Sequence, residues 1–349
     1  MKLRHRRQFL HLVAGTAARS MGRRQLVTLL GGIVAALPLR GSQAQPANRK
    51  RRIGALISIA NDEEEGERRV SAFVGELATL GWVDSDIEFH IRWAAGDLGQ
   101  LAAYASELSE LKPDVFLANG TPALTELRRA AQDRPIVFVQ IADPISTGFV
   151  SNLPRPGGNI TGFTNYESPM AGKWLQTLKE IAPEVDRVIC LVNSNNAALI
   201  PFVRAIEGAA FPFSIKVLRS DVFDAGQIEQ TFRSYAKSSR VGLVVMPDLI
   251  ATMNRQLIVE LALQNRHPGV YPFRSFAIAG GLISYGVDVA DQYRRAASYV
   301  NRILRGEEAG DLPIQQPTKF EWVINLKTAK ALDLAIPRTL IARADELIE

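Results

Sequence analysis

The sequence has one cysteine, Cys190, and only two histidines after residue 44, His90 and His267. A single cysteine excludes a disulfide within the chain and a cysteine-based zinc site. Cys190 lies in the apolar run RVICLVN, which predicts a buried, unreactive thiol. Neither histidine neighbours a nucleophile motif, and the metalloprotease motif H-E-x-x-H is absent. These absences argue against a metal centre and against a hydrolytic enzyme.

Phosphate-binding loops are also missing. The sequence contains no G-x-x-x-x-G-K-[ST], and no G-x-G-x-x-G follows a strand-like run. The pair Gly157-Gly158 is typical of a turn before the strand-like run ITGF. We therefore expect a protein that is not an enzyme and that carries no cofactor.

The net charge of +5 is misleading as a sign of nucleic-acid binding. Residues 1–44 hold eight basic residues and no acidic residue. Without these eight of the 41 basic residues, 33 remain against 36 acidic residues, a net charge of −3. The body of the chain is mildly acidic, so nucleic acid is not an expected partner.

Residues 1–44 have the layout of an export signal. A basic start is followed by an apolar stretch from Leu26 to Leu39 and by a small-residue cleavage site that ends at Ala44. The apolar stretch is too short to span a bilayer comfortably. Two arginine pairs precede apolar residues, as in twin-arginine signals, and Met21 opens a complete signal by itself. We predict cleavage near Ala44 and a periplasmic protein, with the export route and the start codon left open.

From Arg52 onward, strand-like and helix-like runs alternate along the chain. In the first half the strand-like runs are RIGALIS, DIEFHIRW, DVFLANG and PIVFVQIA. After a stretch rich in Gly, Pro and Asn, the second half continues with VDRVICLVN, FSIKVLRS, VGLVVMPD, GVYPFRS and GLISYGVD. Between VGLVVMPD and GVYPFRS, one long helix is predicted over IATMNRQLIVELALQN. The alternation predicts an α/β fold of two lobes, each with a doubly wound parallel sheet.

Two such lobes facing each other would enclose a cleft. Ligands of open parallel sheets bind beyond the carboxyl ends of the strands. The candidate ligand residues that follow strand-like runs are Ser58, Asn61, Asn119, Gly120, Thr121, Asp143, Asn193, Asp248 and Phe273. They are mostly neutral or acidic, a composition that suits holding a small molecule rather than transforming it.

The stretch LANGTPALTEL places a strand end directly before a helix that is predicted to start at Pro122. One interpretation is that Thr121 only caps this helix with its hydroxyl. The other is that the free N–H groups and the dipole of the helix receive an anion. The residues alone favour the cap.

Several longer stretches carry a family pattern. They include RRVSAFVGELATLGW, PDVFLANGTPAL, PIVFVQIADPI, RPGGNITGFTNYE, GKWLQTLKEIAP and YPFRSFAIAGGLISYGVD. Through them, residues 52–349 resemble the periplasmic substrate-binding proteins of ABC transporters. The resemblance is to the branch that includes binders of tryptophan and other aromatic amino acids.

The resemblance implies a type I-like periplasmic-binding-protein fold with three crossovers, near Asn159–Asn165, Leu282–Asp288 and Leu312–Pro317. Lobe 1 would comprise residues 52–162 and 286–311, and lobe 2 residues 163–285 and 312–349. The protein would be a monomer that delivers a small carboxylate-bearing, amino-acid-like ligand to the membrane permease of an ABC importer. Two alternatives stay open: a sensor component without a permease, and an exported enzyme.

The resemblance also bears on the candidate residues. Gly120-Thr121 matches the family's Gly-Thr or Gly-Ser before Pro-Ala, so the junction is now favoured as the receiver of a ligand carboxylate. Asp143 either caps a turn at Pro144 or pairs with a ligand ammonium group. Asp248 has the same two alternatives, although many relatives carry small residues there.

The remaining candidates are less specific. Asn193 is favoured as a loop former over a ligand donor, and Glu167 follows the first implied crossover, within reach of the cleft. Phe273 and Tyr285 can stack on an apolar ligand side chain or pack in the core. The run Glu63–Glu65 is interpreted as a solvated loop.

Overall fold

The computed structural model describes residues 49–60, 64–165 and 168–349, with the side chain of Glu64 left out. The described residues belong to one compact unit built on two β-sheets. The predicted export signal, residues 1–44, lies outside them.

The first sheet contains five parallel strands in the order β2-β1-β3-β4-β5. Its elements are β1 Arg51–Ile57, α1 Glu64–Thr79, β2 Ile87–Trp93, α2 Leu98–Glu110, β3 Val115–Asn119, α3 Gly120–Ala130, β4 Ile136–Ile141 and β5 Ile160–Thr164. Strand β1 is apolar because it packs against a core on each face of the sheet. Ile53, Ala55 and Ile57 belong to one core cluster, and Leu56 belongs to another. Both faces of the sheet are covered, as is usual for parallel strands.

The second sheet contains seven strands in the order β12-β11-β10-β9-β8-β6-β7, and only the β10–β11 pair is antiparallel. Its first elements are α4 Met170–Ile181, β6 Arg187–Val192, α5 Ile200–Ala210, β7 Lys216–Asp221, α6 Ala225–Tyr235 and β8 Val241–Val245. They are followed by α7 Leu249–Met253, α8 Arg255–Gln264, β9 Gly269–Tyr271, α9 Arg274–Ile278 and β10 Ile283–Val287. The last elements are α10 Val289–Leu304, β11 Phe320–Asn325, α11 Leu326–Ala331, α12 Arg338–Ile341 and β12 Glu346–Ile348.

Among the described residues, the chain passes between the sheets three times: after β5, after β10 and before β11. Helix α10 packs against α1 beside the first sheet, although the strands on either side of it in the chain belong to the second sheet. The predicted fold class, two doubly wound lobes joined by three crossovers, is confirmed. The lobe boundaries proposed at 162 and 286 fall inside β5 and β10, because pairing continues to Thr164 in β5 and to Val287 in β10.

Two predicted elements of the second half are wrong in extent. The long helix over residues 250–265 is divided at Asn254, whose side-chain amide donates to the carbonyl of Ile250 (2.9 Å). The strand predicted over residues 269–275 ends at Tyr271. Pro272 cannot donate a ladder hydrogen bond, and Arg274 begins a short helix.

The predicted burial of Cys190 is confirmed. The thiol is free and fully buried in β6, and burial raises its pKa to about 12. A thiol that stays protonated at neutral pH is a poor nucleophile. Among the described residues, no helix is both long and apolar enough to cross a membrane.

Candidate functional site

The carboxyl ends of β1 and β3 bring Ser58, Asn119 and Gly120 together. The Ser58 hydroxyl donates to the carbonyl oxygen of Asn119 (2.7 Å), and both side chains are almost fully buried. Gly120 has a φ of +83°, a backbone conformation that favours glycine, and a Cβ there would lie 3.4 Å from Ser58 Oγ. The strand end is therefore fixed before helix α3 begins.

Helix α3 begins at Gly120, two residues earlier than predicted. Thr121 lies inside the helix, so the interpretation of Thr121 as the N-cap is wrong. The N-cap is Asn119, whose side chain makes no capping hydrogen bond. The first-turn N–H groups of α3 thus receive no cap from the Asn119 side chain. With the helix dipole, such N–H groups favour an anion.

The Asn119 side chain is instead part of a buried polar network. Its amide nitrogen Nδ2 donates to Gln140 Oε1 (2.5 Å), which also accepts from Arg69 Nη1 (3.2 Å). Arg69 is 3% exposed, and its Nε donates to Glu65 Oε1 (3.2 Å). The interpretation of the Glu63–Glu65 run as a solvated loop is wrong for Glu65, which lies in α1 and holds this arginine.

Asp143 caps the turn that follows β4. Its Oδ1 accepts from the backbone N–H groups of Ile145 and Ser146 (both 3.0 Å). The capping alternative is therefore present in the structure. The second oxygen of the Asp143 carboxylate still has lone pairs to offer to a ligand ammonium group. That role stays a prediction.

The second sheet contributes a polar cluster at the ends of β6 and β8. Asp248 Oδ1 accepts from the N–H of Ile250 (2.9 Å) and caps α7. The same carboxylate accepts from the side-chain amides of Asn193 and Asn196 (each 3.2 Å). Asn193 Oδ1 also accepts from the N–H of Asn195 (3.1 Å), which is the expected loop-forming role.

The aromatic candidates are buried, Tyr285 in strand β10 and Phe273 between β9 and α9. Tyr285 is 7% exposed and packs on Trp322 with ring centroids 4.3 Å apart. Phe273 is 6% exposed and directly precedes α9. Core packing thus accounts for most of both side chains. Two further candidates, Asn61 and Glu167, lie outside the described residues.

Elements that follow the strand ends of the two sheets come into contact with each other. A Cβ on Gly96, in the loop after β2, would lie 3.2 Å from Met253 Cε in α7. On another side, Arg68 of α1 reaches Asp288 Oδ1 (3.6 Å) and Glu321 Oε2 (3.7 Å). The candidate residues of both halves therefore lie at edges that contact each other.

The ion cluster around Arg68 joins α1, beside the first sheet, to Asp288 after β10 and to Glu321 in β11. Asp288 is 4% exposed, caps α10 through the N–H of Asp291 (3.0 Å), and pairs with Lys319 Nζ (2.9 Å). Burial raises the pKa of Glu321 to about 7, against the attraction of Arg68. Burial also opposes the ionisation of Asp288, but its hydrogen bonds and nearby cations hold its pKa below the usual value. No signal in the sequence indicated this cluster.

We expect the stability of the protein to depend on pH through Glu321. Its pKa is about 7 in the folded chain and returns to about 4.5 on unfolding. Between these values the folded state holds a proton that the unfolded state has lost, so stability falls as pH rises. The decrease in the free energy of unfolding that Glu321 alone causes is on the order of 2–3 kcal/mol. It can be measured by urea unfolding of wild type and Glu321→Gln at pH 4.5 and pH 7.5.

Glu321→Gln removes the buried charge and keeps a side chain that can bond Arg68. The variant is expected to gain stability relative to wild type as pH rises across this range. Glu110→Gln, at the exposed end of α2, is the matched control and should follow wild type at both pH values. A stability difference between Glu321→Gln and wild type that is the same at both pH values would contradict the assignment.

Comparisons with known proteins agree with this geometry. The family pattern described as "ABC transporter substrate binding protein" matches residues 64–348. A tyrosine-binding protein of Clostridioides difficile is 25% identical over 301 residues, which cover 84% of this chain and 86% of that protein.

Solved structures show the same fold. The ABC domain from Streptococcus pneumonia in complex with L-Trp has a TM-score of 0.79 and 23% identity, and the match covers 86% of this chain and all of that one. A ligand-free, open substrate binding protein with adhesive properties from Clostridium difficile has a TM-score of 0.66 and 21% identity, over 85% of this chain and 99% of that one.

The chain belongs to the family of ABC transporter substrate binding proteins. Members of this family bind a small-molecule solute and work with ABC permeases; they are not enzymes. The expectation of a binding protein is confirmed. Within the described residues, no cluster of His, Cys, Asp or Glu is arranged to hold a metal ion.

Proposed function

We propose that this protein is the periplasmic solute receptor of an ABC importer, and that it binds an amino-acid-like ligand between its two lobes. The observation that carries the proposal is the N-terminus of α3. It lies at the strand-end edge of the first sheet, and the side chain of its N-cap residue Asn119 makes no capping hydrogen bond to it. A ligand carboxylate is the natural anion for such a place.

The ligand is proposed to be an aromatic or apolar amino acid. The names of two relatives support this class: one is a tyrosine-binding protein, and one was solved with L-Trp. Ser58, Gly120 and Thr121 would surround the carboxylate, and Asp143 or Asp248 would take the ammonium group. Asn61, Glu167, Asn193 and Phe273 complete the proposed set. We expect a monomer that does not bind nucleic acid.

We expect the mature protein to start near Gln45 in the periplasm. The basic start, the apolar stretch and the small residues up to Ala44 support export and cleavage. N-terminal sequencing of the protein from a periplasmic fraction is the measurement. A full-length chain that stays in the membrane fraction would contradict it.

We expect binding to close the two lobes over the ligand. Lobes joined by three crossovers can move as a hinge, and a ligand held by both favours the closed form. L-tyrosine or L-tryptophan, at about 100 times its dissociation constant, should raise the melting temperature by about 5 °C. Solution scattering should show a smaller radius of gyration under the same conditions. A ligand that binds tightly but leaves the scattering unchanged would contradict closure.

A further inference from the structure

Three carboxylates and two cations form a cluster beside the crossovers. Arg68 Nη1 donates to both oxygens of Glu65 (3.2 and 3.4 Å). Arg68 Nη2 lies 3.6 Å from Asp288 Oδ1 and 3.7 Å from Glu321 Oε2. Lys319 Nζ pairs with Asp288 Oδ2 (2.9 Å). We call these five residues the hinge cluster.

The members of the hinge cluster belong to parts of the fold that a hinge motion separates. Helix α1 follows β1 and carries Arg68 with the first sheet. Glu321 lies in β11, which pairs with β10 and β12 in the second sheet. Asp288 and Lys319 lie on two crossovers, where the N–H of Asp288 donates to the carbonyl of Lys319 (3.1 Å). A rotation about the crossovers therefore changes the distance between Arg68 and Glu321.

Glu321 is the carboxylate of the hinge cluster with the weakest partner. Asp288 has Lys319, and Glu65 accepts the hydrogen bonds of Arg68. At 3.7 Å, Arg68 attracts Glu321 but is too far away to donate a hydrogen bond to it. Burial therefore outweighs this attraction and raises the pKa of Glu321 to about 7, and the like charges of Asp288 and Glu65 act in the same direction.

The other charged groups around Glu321 have partners of their own. Arg274 of α9 is the next cation, and it is bonded to Glu346 of β12 (2.8 Å). Arg294 pairs with Asp288 and Asp291 at the start of α10 (3.5 Å each). Among the described residues, the charged groups that face Glu321, with the partners of those groups, are Glu65, Arg68, Arg274, Asp288, Asp291, Arg294, Lys319 and Glu346.

We propose that the hinge cluster is a proton-sensitive clasp between the lobes: closing brings Glu65 and Arg68 against Glu321, excludes water from its carboxylate, and is accompanied by the uptake of a proton on Glu321. The inference rests on the proposed function, because it takes the lobes to close over a ligand. No residue of the clasp needs to touch that ligand.

The direction of the pH effect follows from linkage. In the open form water reaches Glu321, and its pKa returns toward about 4.5, so the carboxylate is charged at neutral pH. The closed form, in which the pKa is about 7, binds more protons than the open form between these values. A lower pH in this range therefore favours closing and raises ligand affinity.

The first test is calorimetric titration of wild type at pH 6 and pH 8 with L-tyrosine or L-tryptophan, whichever binds more tightly. Affinity should be about tenfold higher at pH 6. Titrations at pH 7 in buffers of different ionisation enthalpy count the protons, and about half a proton should be taken up per ligand bound. Proton release, or no proton exchange, would overturn the inference, and this result needs no variant.

Glu321→Gln isolates the group. The variant keeps the shape of the protonated side chain and every other titrating residue. It should bind at both pH values with about the affinity of wild type at pH 6, and without net proton uptake. Glu110→Gln, at the exposed end of α2, is the matched control and should keep the wild-type pH dependence. A pH dependence in Glu321→Gln equal to that of wild type would overturn the inference.

Solution scattering of the ligand-free protein separates this inference from the proposed ligand. The radius of gyration of wild type should be smaller at pH 6 than at pH 8, and that of Glu321→Gln should not change. If wild type binds neither amino acid, the proposed ligand fails, and scattering still decides on the clasp. A wild-type radius of gyration that is equal at both pH values would then overturn the inference.

Discussion

Gly120→Val is expected to weaken binding of the acid ligand more than about 100-fold while the chain still folds. Gly120 has a φ of +83°, which a β-branched residue adopts only with strain. The backbone would have to rotate where α3 begins, and the N–H groups of the first turn would leave their positions. The added side chain would also crowd Ser58, whose Oγ would lie 3.4 Å from the new Cβ. Calorimetric titration and circular dichroism of the variant measure binding and folding separately.

Two further variants make this prediction more specific. Thr121→Ala removes only one hydroxyl, and because Thr121 is not the helix cap, the expected loss is about tenfold or less. Gly306→Val is the matched control: Gly306 has a φ of +105° after the end of α10, with open space around a Cβ. It should cost stability but leave affinity unchanged. If Gly120→Val folds and binds like wild type, the junction does not face the ligand.

Gly162→Ala is expected to destabilise the fold by about 4 kcal/mol or more. Gly162 lies in β5, paired with Phe138 of β4, and a Cβ there would lie 2.1 Å from the carbonyl oxygen of Phe138. A backbone atom inside a sheet cannot move aside as a flexible side chain can. Its φ of +153° adds to the cost. The strands must separate, and the first crossover begins directly after them. The midpoint of urea unfolding is the measurement.

Gly75→Ala provides the control for this substitution. Gly75 lies in α1 with nothing near a Cβ, so alanine should raise the free energy of unfolding by about 0.5–1 kcal/mol. The same chemical change is thus predicted to have opposite signs at the two positions. An unfolding midpoint of Gly162→Ala equal to that of wild type would contradict the packing described for β4 and β5.

The fold follows from the sequence because its signals are local and repeated. Buried parallel strands such as β3 and β8 are continuous apolar runs, and amphipathic helices separate them. The three crossovers join residues far apart in the chain. For these the family resemblance supplied the prediction. The short helix α9 was missed because the apolar run around Pro272 is typical of a strand as well.

The site was less accessible from sequence. The strand-end rule located Ser58, Asn119 and Gly120, because their position depends only on where the strands stop. The contact of Gln140 with Asn119 accompanies the positive φ of Gln140 and the register shift in β4, neither of which has a sequence signal. Arg69 was not among the sequence candidates, because its bond to Gln140 joins residues far apart in the chain. The start of α3 was placed too late because proline usually marks the first helical turn.

The central claim is that the N-terminus of α3 holds the carboxylate of an amino-acid ligand. Calorimetric titration of wild-type protein with L-tyrosine, L-tryptophan and the amide of each tests it most directly. We expect at least one acid to bind, and to bind at least about tenfold more tightly than its amide, because the helix end favours negative charge. A protein that binds neither acid would contradict the proposed aromatic ligand, and an amide that binds as tightly as its acid would contradict the central claim.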